Sequence, residues 1–193
     1  MTDQAEIKPI TLTDFLSTPE RIEIINGKVV ALPAFGALHQ LVGSNIYDVL
    51  KTHVNETEAA VFYHGLAYLM NSHPEALENV FVPDVSFFRM GTVPSDWNIN
   101  FPHTGVPDLA IEIVSPGDDP DELQTKRKTY LAKGTDQVWI IYPQTREVHQ
   151  FRRDNNPEIR IYREGETLDC DALFSGLVLT TDMIFKLPAW AIK

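Results

Sequence analysis

The chain has 193 residues, 44% hydrophobic and 22% charged, and its 16 basic against 27 acidic side chains give a formal net charge of -11. That length suits a single domain over residues 1–193 with a substantial core, and no apolar run approaches the roughly 18 residues of a membrane span, so no membrane partner is expected. The acidity argues against tight nonspecific binding to nucleic acid, which usually calls for a basic surface.

The start, MTDQAEIKPI, lacks the basic and apolar blocks of a signal peptide, so a cytoplasmic location is expected. One cysteine, Cys170, excludes an intramolecular disulfide and reads as a small buried or half-buried side chain.

Thr11 or Thr13 can cap a short helix through Phe15, because Thr11 stands three residues before Asp14. Arg21 to Leu32 reads as a hairpin around Asn26-Gly27, the pair that most readily adopts a tight primed turn. Glu23 lies on its first strand, where pattern alone favours a solvent-facing residue. A helix follows from about Ala37 to Val54, with Leu38, Leu41, Val42, Ile46, Val49, Leu50 and Val54 in one apolar stripe. His39 stands in its first turn, as a surface or cap histidine or near a bound anion.

Ala59 to Met70 is expected as one strand with Gly65 marking a bulge or close contact. After a polar loop over 71–79, Val80 to Met90 is expected as another, with Val80, Val82, Asp84, Ser86 and Phe88 on one face. The segment 91–106 reads as a long loop. Val106 to Val114 then forms a strand rich in Ile, Leu and Val, central and covered on both sides.

Alternation puts Leu109, Ile111 and Ile113 on one face of that strand and Asp108, Ala110, Glu112 and Val114 on the other. A buried Glu112 is costly unless paired, protonated or metal-bound. Next, Asp119 caps a helix with Pro120 at its first position, ended by Gly134. Strands are expected over Gln137–Tyr142, Glu147–Arg153 and Glu158–Arg163, and no clear helix after them.

Asp108 and Glu112 are four residues apart, roughly 13 Å along a strand at about 3.3 Å per residue, too far for one ion. A partner must come from a neighbouring strand, about 4.8 Å away, and Asp84 qualifies. Two carboxylates on adjacent strands suit a hard divalent ion such as Mg²⁺ or Mn²⁺. On the following helix Lys126 lies three positions after Leu123 and four before Tyr130, at the edge of the face that packs on the sheet. It reads either as a lysine near a metal-bound water and a phosphate or as an ordinary snorkelling lysine, whereas Lys128 faces water.

Pro83-Asp84, the run from Pro107-Asp108 through Glu112 to Ser115-Pro116, Lys126 with Tyr130 and Gly134, and Trp139 together resemble the Uma2 family, also called domain of unknown function 820. The likeness extends to Arg21-Ile22-Glu23 with Asn26-Gly27 and to His39-Gln40. That family belongs to the PD-(D/E)XK nuclease superfamily. The resemblance implies an α/β (α+β) fold, a mixed sheet flanked by helices with a restriction-endonuclease-like core. It further implies Asp84, Glu112 and Lys126 as catalytic residues, Asp84, Glu112 and the backbone carbonyl of Ile113 as metal ligands, and Glu23 and His39 near the site. Asp108 is reduced to a strand-start or supporting residue.

The superfamily places its lysine two residues after the glutamate, where this chain has Val114, and the family supplies it from the next helix. Thr135, Tyr142 and Glu122 depart from the usual valine, aspartate and aspartate without touching the metal ligands. The function expected is a Mg²⁺- or Mn²⁺-dependent endonuclease acting on DNA, for which a homodimer would suit two-strand cutting. The rival is a catalytically inert binding module on the same fold, favoured by the net charge. Arg127, Lys128, Lys133, Arg152 and Arg153 are candidates for a local basic patch.

Overall fold

Eleven strands sort into two sheets, in a computed structural model that describes residues 8–55, 58–70, 72–153 and 159–192. The first helix, α1 (Leu12–Ser17), carries the expected capping box, in which Thr11 and Asp14 bond reciprocally to each other's backbone. The hairpin of β1 (Ile22–Ile25) and β2 (Lys28–Ala31) turns at Asn26 and Gly27, both at positive φ, as a primed turn requires. Helix α2 (Ala37–His53) follows, with Val42, Ile46 and Leu50 fully buried.

Both long strands expected between Ala59 and Met90 are broken. β3 (Ala59–Tyr63) and β4 (Tyr68–Leu69) are separated by His64 and Gly65, both at positive φ, so Gly65 marks a change of direction rather than a bulge. β5 (Val80–Phe81) and β6 (Val85–Arg89) are separated at Pro83, which has no N–H to give a ladder. The alternation expected through Val80, Val82 and Asp84 therefore does not hold.

In each case the chain leaves one sheet for the other. The first sheet has the order β2-β1-β5-β4-β7, with β7 at His103–Thr104 inside the expected loop. The second has the order β11-β10-β9-β8-β6-β3, built with β8 (Leu109–Ile113), β9 (Gln137–Tyr142), β10 (Glu147–Arg152) and β11 (Arg160–Tyr162). β8 and β9 are parallel, as are β4 and β7, and the other pairings are antiparallel. Both sheets are mixed.

β8 is central and buried along its whole length, as its composition predicts. Leu109, Ile111 and Ile113 enter the core shared with α2, and Ala110 enters the opposite core with Tyr130 of α3 (Pro120–Lys133). α3 begins at Asp119, whose side chain accepts from the N–H groups of Asp121 and Glu122, and ends at Gly134 with φ 120°. Cys170 is buried, and a four-residue helix, α4 (Thr181–Ile184), forms where none was expected. Glu158 of the last expected strand and residues 1–7 lie outside the described residues. Among those described, no helix is long and apolar enough to cross a membrane.

Candidate active site

The two places where the chain changes sheets meet, since the His64 N–H donates to the Asp84 carbonyl at 2.9 Å. Asp84 sits one residue before β6, beside β8, with its own N–H on the Ile111 carbonyl at 3.0 Å. Its carboxylate accepts from the Ile113 N–H at 2.8 Å. Asp84 and Glu112 thus approach from neighbouring strands. Glu112 is 7% exposed at the centre of β8 and occupies both oxygens, with Lys126 Nζ at 2.8 Å on Oε2 and the Tyr130 hydroxyl at 2.9 Å on Oε1. Lys126 and Tyr130 are one helical turn apart and share the inner face of α3.

Glu23 belongs to the same cluster, which corrects the solvent-facing reading. It is 2% exposed, lies 2.9 Å from Lys126 Nζ, and accepts from the Val82 N–H at 2.6 Å. The antiparallel β1–β5 pairing carries Glu23 to the sheet junction, a long-range placement that strand pattern does not contain. His39 is likewise buried rather than a surface cap. Its Nε2 stands 3.2 Å from Asp84 Oδ2, and its ring stacks on Phe35 with centroids 4.1 Å apart. His64, which no sequence pattern marked, stands 3.6 Å from Asp84 Oδ1 and bonds through Nε2 to Gln40 at 3.1 Å.

Asp108 is not brought to this cluster. It stands just before β8, at the end away from Ile113, where it accepts from the Arg89 backbone and guanidinium and from Thr92. Lys128 is exposed and bonds to Gln124. The expected basic patch is partly cancelled, because Arg152 pairs with Asp169 and Arg153 with Asp136.

Two buried carboxylates, Glu23 and Glu112, therefore share one buried ammonium, and the buried Asp84 carboxylate lies close by beside His39 and His64. Burial drives the Glu112 carboxyl above its ordinary range; the Lys126 charge opposes that shift, and Glu23 and Asp84 add to it. Burial also works against the Lys126 charge, yet Glu112 and Glu23 outweigh it and hold its pKa above the usual lysine value. The Tyr130 hydroxyl is raised by burial and by the same carboxylates, so it remains a donor. His64 is held below the ordinary histidine value by burial, against the pull of Asp84.

The cluster lines a recess of about 140 Å³, with Asp118, Asp119 and Glu122 at its rim. At about 30 Å³ per water, it has room for an ion and a few waters. No three His, Cys, Asp or Glu side chains converge as a preformed metal cluster among the described residues. The residues still suit a hard divalent ion by chemistry: Asp84 and Glu112 offer carboxylate oxygens, Ile113 a carbonyl, and the negative charge exceeds what Lys126 balances.

No curated protein matches the chain. A solved structure from Anabaena variabilis, described as "a putative nuclease belonging to DUF820", is 26% identical to it, with a TM-score of 0.76 over 92% of this chain and 98% of that one. The architecture is thus the restriction-endonuclease-like fold of that protein. The sequence model of the Uma2 family, described as "Putative restriction endonuclease", matches residues 11–182, and the chain belongs to that family.

Proposed function

We propose that the chain is a Mg²⁺- or Mn²⁺-dependent endonuclease hydrolysing DNA phosphodiester bonds in the acidic recess. The observation that carries this reading is the burial of Glu23, Asp84 and Glu112 in one cluster, where the single ammonium of Lys126 pairs with Glu23 and Glu112 and Asp84 has His39 and His64 beside it. Uncompensated charge is costly in a structural core, and a divalent cation removes the excess. Asp84, Glu112 and the Ile113 carbonyl would hold the ion, which when bound supplies Lewis-acid activation of water and neutralises phosphate charge.

The remaining steps belong to the chain. Glu23 and Glu112 hold Lys126 Nζ at 2.9 and 2.8 Å, and that ammonium orients the attacking water or stabilises charge developing on the phosphate. Tyr130 fixes the Glu112 carboxylate, and His39 flanks Asp84. Asp108 supports the start of β8 without touching the reacting groups.

The test is a cleavage assay with Mg²⁺ or Mn²⁺ on single-stranded, double-stranded and branched DNA, beside Asp84→Ala and Glu112→Ala. Cleavage by the wild type alone is expected, and equal behaviour of all three defeats the proposal. One observation favours an inert binding module instead: Lys126 already engages both Glu23 and Glu112. Calorimetric titration with Mn²⁺ separates the two, since the module binds none while the enzyme binds it through Glu112.

A further inference from the structure

We propose that the apolar recess beside Arg21 is a nucleoside subsite. It takes an unpaired base of a single-stranded DNA substrate, while the Arg21 guanidinium takes a phosphate next to the one at the acidic cluster. This assignment rests on the endonuclease reading above.

Of the eight arginines, Arg89, Arg146, Arg152, Arg153, Arg160 and Arg163 pair with carboxylates. Arg21 and Arg127 have no carboxylate partner among the described residues. The exposed Arg21 holds its guanidinium 5.4 Å from the centre of the Phe35 ring, the ring that stacks on His39 beside Asp84. A cation thus stands two ring layers from the histidine's carboxylate partner, on a molecule whose net charge is -11. Arg127 lies over Phe151 in a recess bordered by Asp118, at the acidic start of α3, where phosphate is repelled.

Arg21 borders a recess of about 410 Å³, within the usual range for ligand pockets. Leu32 and Val82 line both this recess and the acidic one, so the two adjoin. Its walls include Phe15, Leu16, Ile99 and Phe101, and Ile99 is 80% and Phe101 47% exposed. Glu20 is the carboxylate on its lining.

A base in a duplex is paired and stacked and cannot enter a side recess without being flipped out. A single strand offers its π-faces freely, and its lower charge density is repelled less by an acidic protein. Apolar walls beside one guanidinium match that ligand rather than the closely spaced phosphates of a duplex.

The experiment is fluorescence anisotropy in Ca²⁺ buffer, with a labelled 12-nucleotide single strand and a hairpin duplex, each checked for integrity afterwards. Wild type is expected to prefer the single strand. Arg21→Ala should weaken that binding by about tenfold and lower the slope of log affinity against log salt by about 0.7, the loss of one phosphate contact. Arg21→Lys should restore the slope. Phe101→Ala should weaken binding roughly fivefold or more, Glu20→Gln should tighten it, and Arg163→Ala, on an exposed ion pair with Glu147, should change nothing.

Duplex preference, or a salt slope unmoved by Arg21→Ala in a folded variant, overturns the subsite. So does occupation of the recess by a second copy of the chain, seen as a dimer that Phe101→Ala dissociates. Mg²⁺-dependent cleavage that ignores Arg21 would leave the endonuclease reading standing and the subsite refuted. Arg21-dependent strand binding without cleavage would leave the subsite standing and the endonuclease refuted.

Discussion

Lys126 of α3 reaches Glu112 of β8 through a 2.8 Å ion pair, although 14 residues separate them in the chain. The helix leaves the end of the strand and packs back over it, so its inner face lays the ammonium on the strand's one buried glutamate. Lys126→Met removes the cation and leaves Glu23, Asp84 and Glu112 facing one another. The expected cost is about 3–5 kcal/mol at neutral pH, measured by urea denaturation, together with loss of cleavage. Because protonation relieves the repulsion, the deficit against wild type should shrink as pH falls; a pH-independent deficit would count against the charge argument.

Glu112→Gln should behave differently, because Lys126 keeps Glu23 as its partner. A folded-state pKa raised above the ordinary 4.5 contributes stability that is present below that value and lost as pH rises through the raised one, about 8. Wild type should therefore lose thermal stability relative to Glu112→Gln as pH rises from about 5 to about 8. Thermal melts of both proteins across that range check the sign, and cleavage should be absent from the variant throughout.

Loading the site should release protons. Mn²⁺ needs the Glu112 carboxylate ionised, and burial holds that group partly protonated near neutrality, so apparent affinity should rise with pH toward 8. Calorimetry in two buffers of different ionisation enthalpy measures the proton count directly. Asp84→Asn should abolish the binding heat without this pH dependence entering.

Tyr130→Phe removes only the hydroxyl that donates to Glu112 at 2.9 Å, leaving no cavity. Loss of a buried hydrogen bond to a carboxylate should cost about 1–3 kcal/mol. The variant should remain folded, with kcat reduced by a less well oriented Glu112 and little change in KM.

Asp108→Asn separates support from chemistry. Asp108 binds the Arg89 backbone and guanidinium, so the variant should lose about 1.5–3 kcal/mol. Its rate at saturating substrate should match wild type at temperatures where both are folded, and a kcat loss as severe as that of Glu112→Gln would place Asp108 in the reaction.

Local signals in the sequence were sufficient for much of the scaffold. The Thr11–Asp14 capping box, the Asn26-Gly27 turn, the helix between Asp119 and Gly134 and the buried strand through Glu112 all rest on contacts within a few residues, which spacing reports directly. Asp84 and Glu112 stood out because an acid in an apolar strand contradicts its surroundings, and the family resemblance supplied Lys126. Tyr130 was legible in principle, one turn beyond Lys126 on the same face.

Tertiary structure alone decided that two continuous apolar runs break and cross between sheets, at His64-Gly65 and at Pro83. Strand spacing separates Asp108 from Glu112, and the family resemblance implies Glu23 and His39 near the site, but only the tertiary structure turns those two inward against their local pattern and brings His64 to Asp84. Strand and helix periodicity describe which side of its own element a residue takes. Which element covers that side is set by pairings such as β1 with β5 and β6 with β8, and the charge of the site comes from side chains those pairings bring together.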